Sequence, residues 1–141
     1  MRLIPVDKEN MDFYKKFENS EDLSLYMSRI YPNYESVYLK WMYIEEDRHY
    51  IGSIWLEGKD IRLVKLGVFI ADPAYRDKGI GKLAIQQMIT IAESDGIHVI
   101  ALNVRTENER AVKAYTACGF KITKRFKKEN DIEAFSMELE L

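Results

Sequence analysis

The feature that most restricts the fold of this chain is an apolar strand, an amphipathic helix and a second apolar strand in direct succession. Residues 61–71 are almost continuously apolar from Leu63 onwards, and residues 97–104 form a shorter apolar run of the kind covered on both faces. Between them, residues 79–94 place apolar side chains on one helical face, and Gly96 follows as a C-cap. Strands joined in this way pair in parallel through a right-handed crossover, so the sequence predicts an α/β fold with a mixed sheet.

The sequence before this unit predicts short helices and a hairpin. Residues 8–30 repeat apolar side chains at helical spacing, which indicates one or two short helices. Residues 36–56 are rich in aromatic and β-branched side chains and are interrupted by the acidic residues 45–47, a pattern typical of a β-hairpin. Residues 58–60 are expected to form the turn that leads into the strand at 61–71.

The sequence after the unit predicts one helix and two strands. Thr106 and Glu109 have the spacing of a capping box, so a helix is expected to begin at Thr106. It is expected to end at Gly119, with Phe120 packing back on it. Apolar and polar residues alternate over 135–141, which indicates a half-buried final strand. Together these elements predict a single domain over the whole chain, with a central mixed sheet flanked by helices.

Composition argues against several classes of protein. The net charge of −2 argues against sequence-independent binding of nucleic acid. The single cysteine, Cys118, allows no disulfide framework, and with two histidines far apart in sequence a metal site is not expected. No apolar run is long enough to cross a membrane, and the first residues do not have the pattern of a secretory signal. The sequence therefore predicts a cytoplasmic protein that binds neither nucleic acid nor membrane.

A basic loop with two glycines precedes the central helix and indicates a site for an anion. A helix N-terminus exposes unpaired backbone N–H groups, and Gly79 and Gly81 let the backbone approach a ligand closely. Arg76, Lys78 and Lys82 add positive charge nearby. A solvated loop that only caps the helix fits the same residues, so charge and glycine content alone leave both interpretations open.

Two nucleotide-binding motifs fail in this loop. A Walker-type phosphate loop needs a glycine five residues before Gly81 and a serine or threonine after Lys82, whereas the chain has Arg76 and Leu83 there. Residues 79–84 satisfy the dinucleotide pattern G-x-G-x-x-A, but an extra segment separates them from the strand, and no acidic residue ends the next strand. A nucleotide-binding regulatory domain is therefore disfavoured.

Two sequence blocks resemble the GCN5-related N-acetyltransferase (GNAT) family. Residues 76–81 (RDKGIG) match the signature (Arg/Gln)-x-x-Gly-x-(Gly/Ala), and residues 72–75 (DPAY) precede it as they do in relatives. Downstream, residues 108–120 resemble the family block N-x-x-A followed by Y-x-x-x-G-F. The blocks cover about residues 61–122, the expected CoA-binding core. The resemblance implies a GNAT-like fold in which the two parallel strands splay apart.

The resemblance also implies that the anion is acetyl-CoA. The loop and the first helical turn would bind its pyrophosphate through backbone N–H groups, and the end of the preceding strand would pair with the pantetheine arm. The cofactor-binding residues implied in this way are Phe69, Ile70, Ala71, Arg76, Asp77, Lys78, Gly79, Ile80, Gly81, Lys82, Asn108 and Tyr115.

Family chemistry is direct transfer of the acetyl group to an amine, which requires a general acid and a general base. Tyr115 stands where the family has its acid; the alternative is a buried aromatic residue of the helix face. Many relatives carry a glutamate base on the strand before the loop, where this chain has Gly67. Glu57 is the candidate base in its place, with Asp60, His49, Tyr50 or a water chain as alternatives.

The function expected from the resemblance is an N-acetyltransferase that acts on a primary amine of a small molecule or peptide. A polyamine, an aminoglycoside, an amino acid and a protein N-terminus all remain open as the acceptor, and a non-catalytic CoA-binding module is the alternative function. Many relatives dimerise, so a homodimer also remains open. Aromatic residues could line the acceptor pocket or form the hairpin core: Tyr26, Tyr31, Tyr34, Tyr38, Trp41, Tyr43, Tyr50 and Trp55.

Overall fold

The protein is built around one mixed β-sheet, which a computed structural model shows for residues 1–15, 29–33 and 35–141. Within these residues seven strands follow the order β1-β2-β3-β4-β5-β7-β6, and only β4 and β5 are parallel. The α/β fold with a mixed sheet is confirmed. The strands are β1 (Arg2–Pro5), β2 (Tyr38–Glu46), β3 (His49–Asp60), β4 (Leu63–Ile70), β5 (Val99–Arg105), β6 (Lys121–Lys127) and β7 (Glu133–Glu140), and the helices are α1 (Asp12–Lys15), α2 (Ile80–Ser94) and α3 (Glu109–Ala117).

The two parallel strands stay together only at their beginnings. Leu63 pairs with Val99, and the last paired residues are Lys65 and Ala101. Beyond that point β4 continues to Ile70 and β5 to Arg105 without pairing to each other, so a slot opens between them. The expected splayed parallel pair is therefore present, and every other strand neighbour in the sheet is antiparallel.

Side-chain alternation divides the core into two clusters, one on each face of the sheet. Even-numbered residues such as Leu56, Leu66 and Leu102 pack with α2 and α3. Odd-numbered residues such as Trp55 and Phe69 form an aromatic cluster on the opposite face, together with Tyr14 from α1. Most hairpin aromatic residues in the described segments are core residues or contact the core, while Tyr31 is exposed, and Tyr26 and Tyr34 lie outside the described residues.

The N-terminal part differs from its sequence-based prediction. Strand β1 was not predicted, and it pairs with β2 at the sheet edge. The helices expected over 8–30 are represented by a 3₁₀ turn, Lys8–Asn10, and by α1, whereas residues 16–28 lie outside the described residues. The hairpin is confirmed as β2 and β3, and its two turn residues, Asp47 and Arg48, both have positive φ angles, as tight hairpin turns require.

Two predicted boundaries, the turn after β3 and the start of α3, are wrong by a few residues. The reversal after β3 falls at Ile61 and Arg62 rather than at 58–60, because the Asp60 carboxylate accepts a hydrogen bond from the Arg62 N–H at 2.9 Å and fixes the turn there. Helix α3 begins at Glu109 with Asn108 as its N-cap, so the capping box at Thr106 does not form. The Thr106 N–H instead donates to the Glu133 carbonyl at 3.0 Å.

The predicted ends of both long helices are confirmed. Gly96 follows α2 with a φ of 77°, and Gly119 follows α3 with a φ of 100°. Phe120 packs back as expected: it is 2% exposed, and its N–H donates to the Tyr115 carbonyl at 3.1 Å. These caps fix the position of Tyr115 relative to the sheet.

A glycine on β4 is required by the aromatic cluster. Gly67 lies directly opposite Trp55 in the β3–β4 register. A Cβ atom on Gly67 would come within 2.1 Å of the Trp55 indole ring, far inside van der Waals contact. The indole therefore occupies the space that any side chain at position 67 would need.

We expect Gly67→Ala to destabilise the protein by about 1–3 kcal/mol, because the new methyl group must displace the buried indole. Gly81→Ala is the matched control, since its Cβ would meet no protein atom within 4 Å and alanine favours a helix by about 0.5–1 kcal/mol. Urea unfolding of both variants measures the difference. Equal free energies of unfolding would show that the Trp55 indole moves aside without a loss of stability.

Candidate functional site

A cavity of about 640 Å³ lies where β4 and β5 separate. Its walls come from the second half of β4, the end of β5, the loop after β4, the first turn of α2 and one side of α3. The slot therefore brings both sequence blocks, which are far apart along the chain, to one place. Nearly all the candidate cofactor residues line it; the exceptions are Ala71 and Lys78.

The glycine loop presents the N-terminus of α2 to this cavity. Gly79 is the N-cap and adopts a left-handed conformation with a φ of 80°, where a side chain is disfavoured. Gly81, in the first turn, leaves open space where a Cβ would stand. The first amides of a helix have no intrahelical partner, and α2 is 15 residues long, so this end carries the positive pole of a full helix. The arrangement suits an anion that contacts the backbone closely.

Two charged side chains, one cationic and one anionic, fix the loop through contacts within the protein. The Arg76 guanidinium folds back and donates to the Ile70 carbonyl at 3.0 Å and to the Ala71 carbonyl at 3.3 Å. Asp77, with a φ of 61°, forms an exposed ion pair with Arg110 of α3 at 3.2 Å. The loop is thereby held to the end of β4 and to α3, and its backbone is left to face the anion.

The edge of β4 in the slot has its own polar groups. The Ala71 N–H donates to the Ile51 carbonyl at 2.7 Å, so this residue is turned towards β3. In an antiparallel pair, the backbone polar groups of successive residues point alternately towards the partner strand and away from it. The N–H and C=O groups of Phe69 therefore also point towards β3, and those of Val68 and Ile70 point towards the slot. Of the three residues expected to pair with a ligand, Ile70 therefore offers its N–H to the slot, while its carbonyl accepts from Arg76. Val68 is a second residue on the slot side, which the sequence did not indicate.

Tyr115 combines burial with a place in the cavity wall. It is 7% exposed, and its ring contacts Phe120 edge-on at 5.8 Å between centroids. Burial, with a smaller contribution from Cys118, raises the pKa of its phenol above the usual value. Tyr115 therefore stays neutral and able to donate at physiological pH. Asn108 also lines the cavity, and its side chain caps α3 by accepting from the Ala111 N–H at 3.4 Å.

Glu57 is the one candidate base that lines the cavity in the described structure. It is 5% exposed and accepts hydrogen bonds from both terminal nitrogens of Arg29 and from the Asn33 N–H. The other candidates lie elsewhere: His49 is at the exposed start of β3, and Tyr50 stacks on Tyr43. Asp60 is partly exposed and does not line the cavity, and its hydrogen bonds from Arg62 lower the pKa of its carboxyl to about 2.

The cavity also contains residues that the sequence did not indicate. Trp55 is the only hairpin aromatic residue among its described lining. Six cationic side chains of this kind line it as well: Arg29, Lys65, Arg105, Arg110, Lys113 and Lys128. Arg105 directly ends an apolar strand and Lys128 ends the basic run KRFKK, which were the available signals. Within the described ranges, no three His, Cys, Asp or Glu side chains are grouped closely enough to hold a metal ion. None of the described helices has both the length and the apolarity needed to cross a membrane.

Comparison with known proteins identifies the class. The chain belongs to the GNAT family of acetyltransferases, whose family model matches residues 5–120. It is 30% identical over 69 residues to the N-alpha-acetyltransferase RimI of Mycobacterium tuberculosis, a match covering 47% of this chain and 42% of the relative. It is 28% identical over 85 residues to the peptidyl-lysine N-acetyltransferase YjaB of Salmonella typhimurium, covering 60% and 52%. The chain thus spans about half the length of these curated relatives.

Solved structures share the fold at low sequence identity. The spermidine N-acetyltransferase of Vibrio cholerae, in complex with CoA and spermine, has a TM-score of 0.81 at 18% identity, covering 99% of this chain and 94% of that one. The acetyltransferase yncA of Salmonella typhimurium, with acetyl-CoA, has a TM-score of 0.64 at 20% identity, covering 73% and 65%. These likenesses show that the fold is that of the family.

Proposed function

We propose that the protein is an acetyl-CoA-dependent N-acetyltransferase that acetylates a primary amine of a small molecule or peptide. The observation that carries this proposal is one cavity bordered by an anion-binding helix start, an unpaired strand edge and the buried phenol of Tyr115. The neighbouring structures solved with CoA and with acetyl-CoA support the choice of cosubstrate. A cytoplasmic location is part of the proposal, since a lone cysteine suits a reducing compartment.

The residues of the cavity fit acetyl-CoA along its length. The pyrophosphate would contact the backbone N–H groups from Gly79 to Lys82, where the missing Cβ of Gly81 leaves room. The two amides of pantetheine would pair with the Ile70 N–H and the Val68 carbonyl, as an added strand does. Lys82, Arg110 and Lys113 line the same cavity and add positive charge for phosphate oxygens. The thioester would then lie in the slot, near Tyr115.

The transfer is a direct attack of the neutral amine on the thioester carbonyl. A C–N bond forms as the carbonyl oxygen becomes an oxyanion, and the C–S bond breaks when the oxyanion collapses. The Val68 N–H, deeper in the slot on the same side of β4, is the proposed donor to this oxyanion. The amine loses one proton and the departing sulfur gains one, so the reaction is balanced without an enzyme nucleophile.

Tyr115 is the proposed acid for the departing sulfur. Since its phenol remains neutral, it can donate a hydrogen bond as negative charge develops on sulfur. A thiol has a pKa near 8.5, below that of a phenol, so a tyrosinate formed during the reaction is the stronger base of the two and regains a proton. Tyr115 thus stabilises the leaving group without remaining deprotonated afterwards.

Glu57 is the proposed acceptor of the amine proton, because it lies on the wall where the usual glutamate position is filled by the Trp55 indole. Arg29 and Asn33 hold its carboxylate in one orientation. A carboxylate has about four lone-pair positions, so a further donor can still be accommodated. A non-catalytic CoA-binding module is the second candidate function, and it is favoured by the absence of a glutamate at Gly67 and by the prior engagement of Glu57.

The first test concerns the anion site. Gly79→Asp and Gly79→Asn place side chains of the same shape at a positive φ, but only the first adds a negative charge. We expect acetyl-CoA to bind the aspartate variant at least about tenfold more weakly than the asparagine variant, by calorimetric titration. Equal affinities would mean that the pyrophosphate lies elsewhere.

The second test concerns the acid. Tyr115→Phe should lower kcat by about 10²–10⁴, the range of general acid–base contributions, while the dissociation constant of acetyl-CoA changes by less than about threefold. Steady-state CoA release and binding are measured on the same preparation. An unchanged kcat would remove the acid role, and a parallel loss of binding would make Tyr115 a packing residue.

The third test concerns the base. Glu57→Gln should slow turnover at pH 7, and the deficit should shrink as the pH approaches the pKa of the amine, where free base is already abundant. Asp60→Asn, on the same strand but outside the cavity, is the control. A deficit that is constant with pH would show that Glu57 serves only as the structural partner of Arg29.

A further inference from the structure

One tryptophan of the aromatic cluster borders the cavity and keeps an unused hydrogen-bond donor. Trp55 is 3% exposed and lines the cavity. Its indole N–H donates to no acceptor among the residues that the structure describes, and the indole nitrogen is not closed off from open space. A buried indole N–H usually has a hydrogen-bond partner. This donor is therefore available to a ligand in the cavity.

The second tryptophan of the cluster has its donor satisfied. Trp41 lies directly opposite Trp55 in the β2–β3 register, and it does not line the cavity. Its indole N–H donates to the Tyr14 hydroxyl at 3.0 Å and to the Ser53 hydroxyl at 2.9 Å. The cluster thus provides acceptors for the indole away from the cavity, whereas none of its described residues provides one for the indole at the cavity.

The Trp55 indole lies over β4, the strand that borders the slot. Its nitrogen is 2.7 Å from the point where a Cβ atom of Gly67 would stand. Many relatives carry a glutamate at this position of β4, and a carboxylate there accepts hydrogen bonds. This chain instead has an N–H donor close to the same point. A group that binds here must therefore offer an acceptor.

Trp55 and Glu57 place a donor and an acceptor side by side. They are two residues apart on β3, which is about 6.6 Å along the strand, and both line the cavity. Alternation puts them on the face of the sheet opposite α2, whose start is the proposed pyrophosphate site. This face is left for the acceptor molecule. Glu57 is the proposed acceptor of the amine proton, and an indole can only donate. A molecule that uses both groups carries an oxygen beside its amine.

We propose that Trp55 determines acceptor specificity by donating its indole N–H to an oxygen bound to the carbon next to the amine-bearing carbon. The proposal rests on the proposed function and names its substrate class. A 2-amino carbonyl compound, such as a peptide N-terminus or an amino acid derivative, and a 2-amino alcohol share this chemistry. A polyamine has no oxygen and leaves the indole N–H unpaired in the cavity, which weakens its binding.

The test uses pairs of amines that have the same shape and differ in the oxygen. L-Alaninol is compared with (S)-2-butylamine, and L-alaninamide with (S)-3-methyl-2-butylamine. The kcat/KM values are calculated per neutral amine, because a nearby oxygen lowers the pKa of the amine itself. We expect the oxygen-bearing member of at least one pair to have a kcat/KM at least about tenfold higher. The pair with the larger ratio distinguishes a carbonyl source from a hydroxyl source.

Two variants assign this ratio to the indole N–H. Trp55→Phe removes the donor, and Trp55→3-benzothienylalanine keeps the two-ring shape while sulfur replaces the N–H group. Both should bring the ratio within about twofold of one, through a higher KM for the oxygen-bearing amine. Trp41→Phe is the matched control: it should lower the melting temperature and leave the ratio unchanged. A ratio that persists in the benzothienylalanine variant would refute the assignment.

The indole N–H can also be observed directly. The chain has two tryptophans, so nitrogen-15 labelling gives two indole signals, and Trp41→Phe assigns them. The complex with CoA, which cannot transfer an acetyl group, is titrated with both members of the preferred pair. The Trp55 indole proton should shift downfield with the oxygen-bearing amine and much less with its partner. Equal shifts for the two amines would contradict the proposed hydrogen bond.

Failure of this inference and failure of the proposed function give different results. An equal or higher kcat/KM per neutral amine for both oxygen-free members, or for spermidine, would overturn the inference and leave the proposed acetyltransferase intact. Binding of acetyl-CoA without CoA release from any of these amines would instead overturn the proposed function, and the substrate class with it.

Discussion

The loss of pairing between β4 and β5 is the constraint on which the site depends. Three residue pairs join these strands, and beyond them both strands continue without pairing to each other. A buried strand edge is costly unless its polar groups find partners, so the slot requires something that can hydrogen-bond along it. Around this slot the chain places the start of α2, the phenol of Tyr115 and the carboxylate of Glu57. The same local break in the sheet thus creates the binding site and determines what it can bind.

The packing of the aromatic cluster explains why the candidate base lies on β3 rather than on β4. Trp55 fills the space beside Gly67, so β4 cannot carry the acidic residue that many relatives have at this position. Two residues further along β3, Glu57 lies on the same face and borders the same cavity. The packing of one large side chain therefore explains both the glycine and the choice of candidate base. The structure gives this substitution a steric cause rather than a chemical one.

The sequence predicted the elements that have strong periodicity and caps, but not those that depend on distant partners. Helix α2 and the splayed pair follow from long apolar runs and from Gly96. The start of α3 was misplaced because the Thr106 amide bonds to β7, a partner about 27 positions away that no local pattern shows. Strand β1 has only four residues, too few for a pattern. Glu57 could be suggested as a base, but its burial with Arg29 depends on tertiary packing. Arg105 and Lys128 are far apart in sequence and border the same cavity only in the folded chain.

Gly81 has a consequence for how such a chain can change. Its position in the first turn of α2 would accept alanine without any clash, and the helix would gain from the exchange. A directed-evolution campaign that rewards heat resistance alone would therefore tend to replace this glycine and close the space proposed for the pyrophosphate. Glycine at this position costs the helix some stability, because the Cβ atom that would stabilise the helix would also occupy the space left for a ligand.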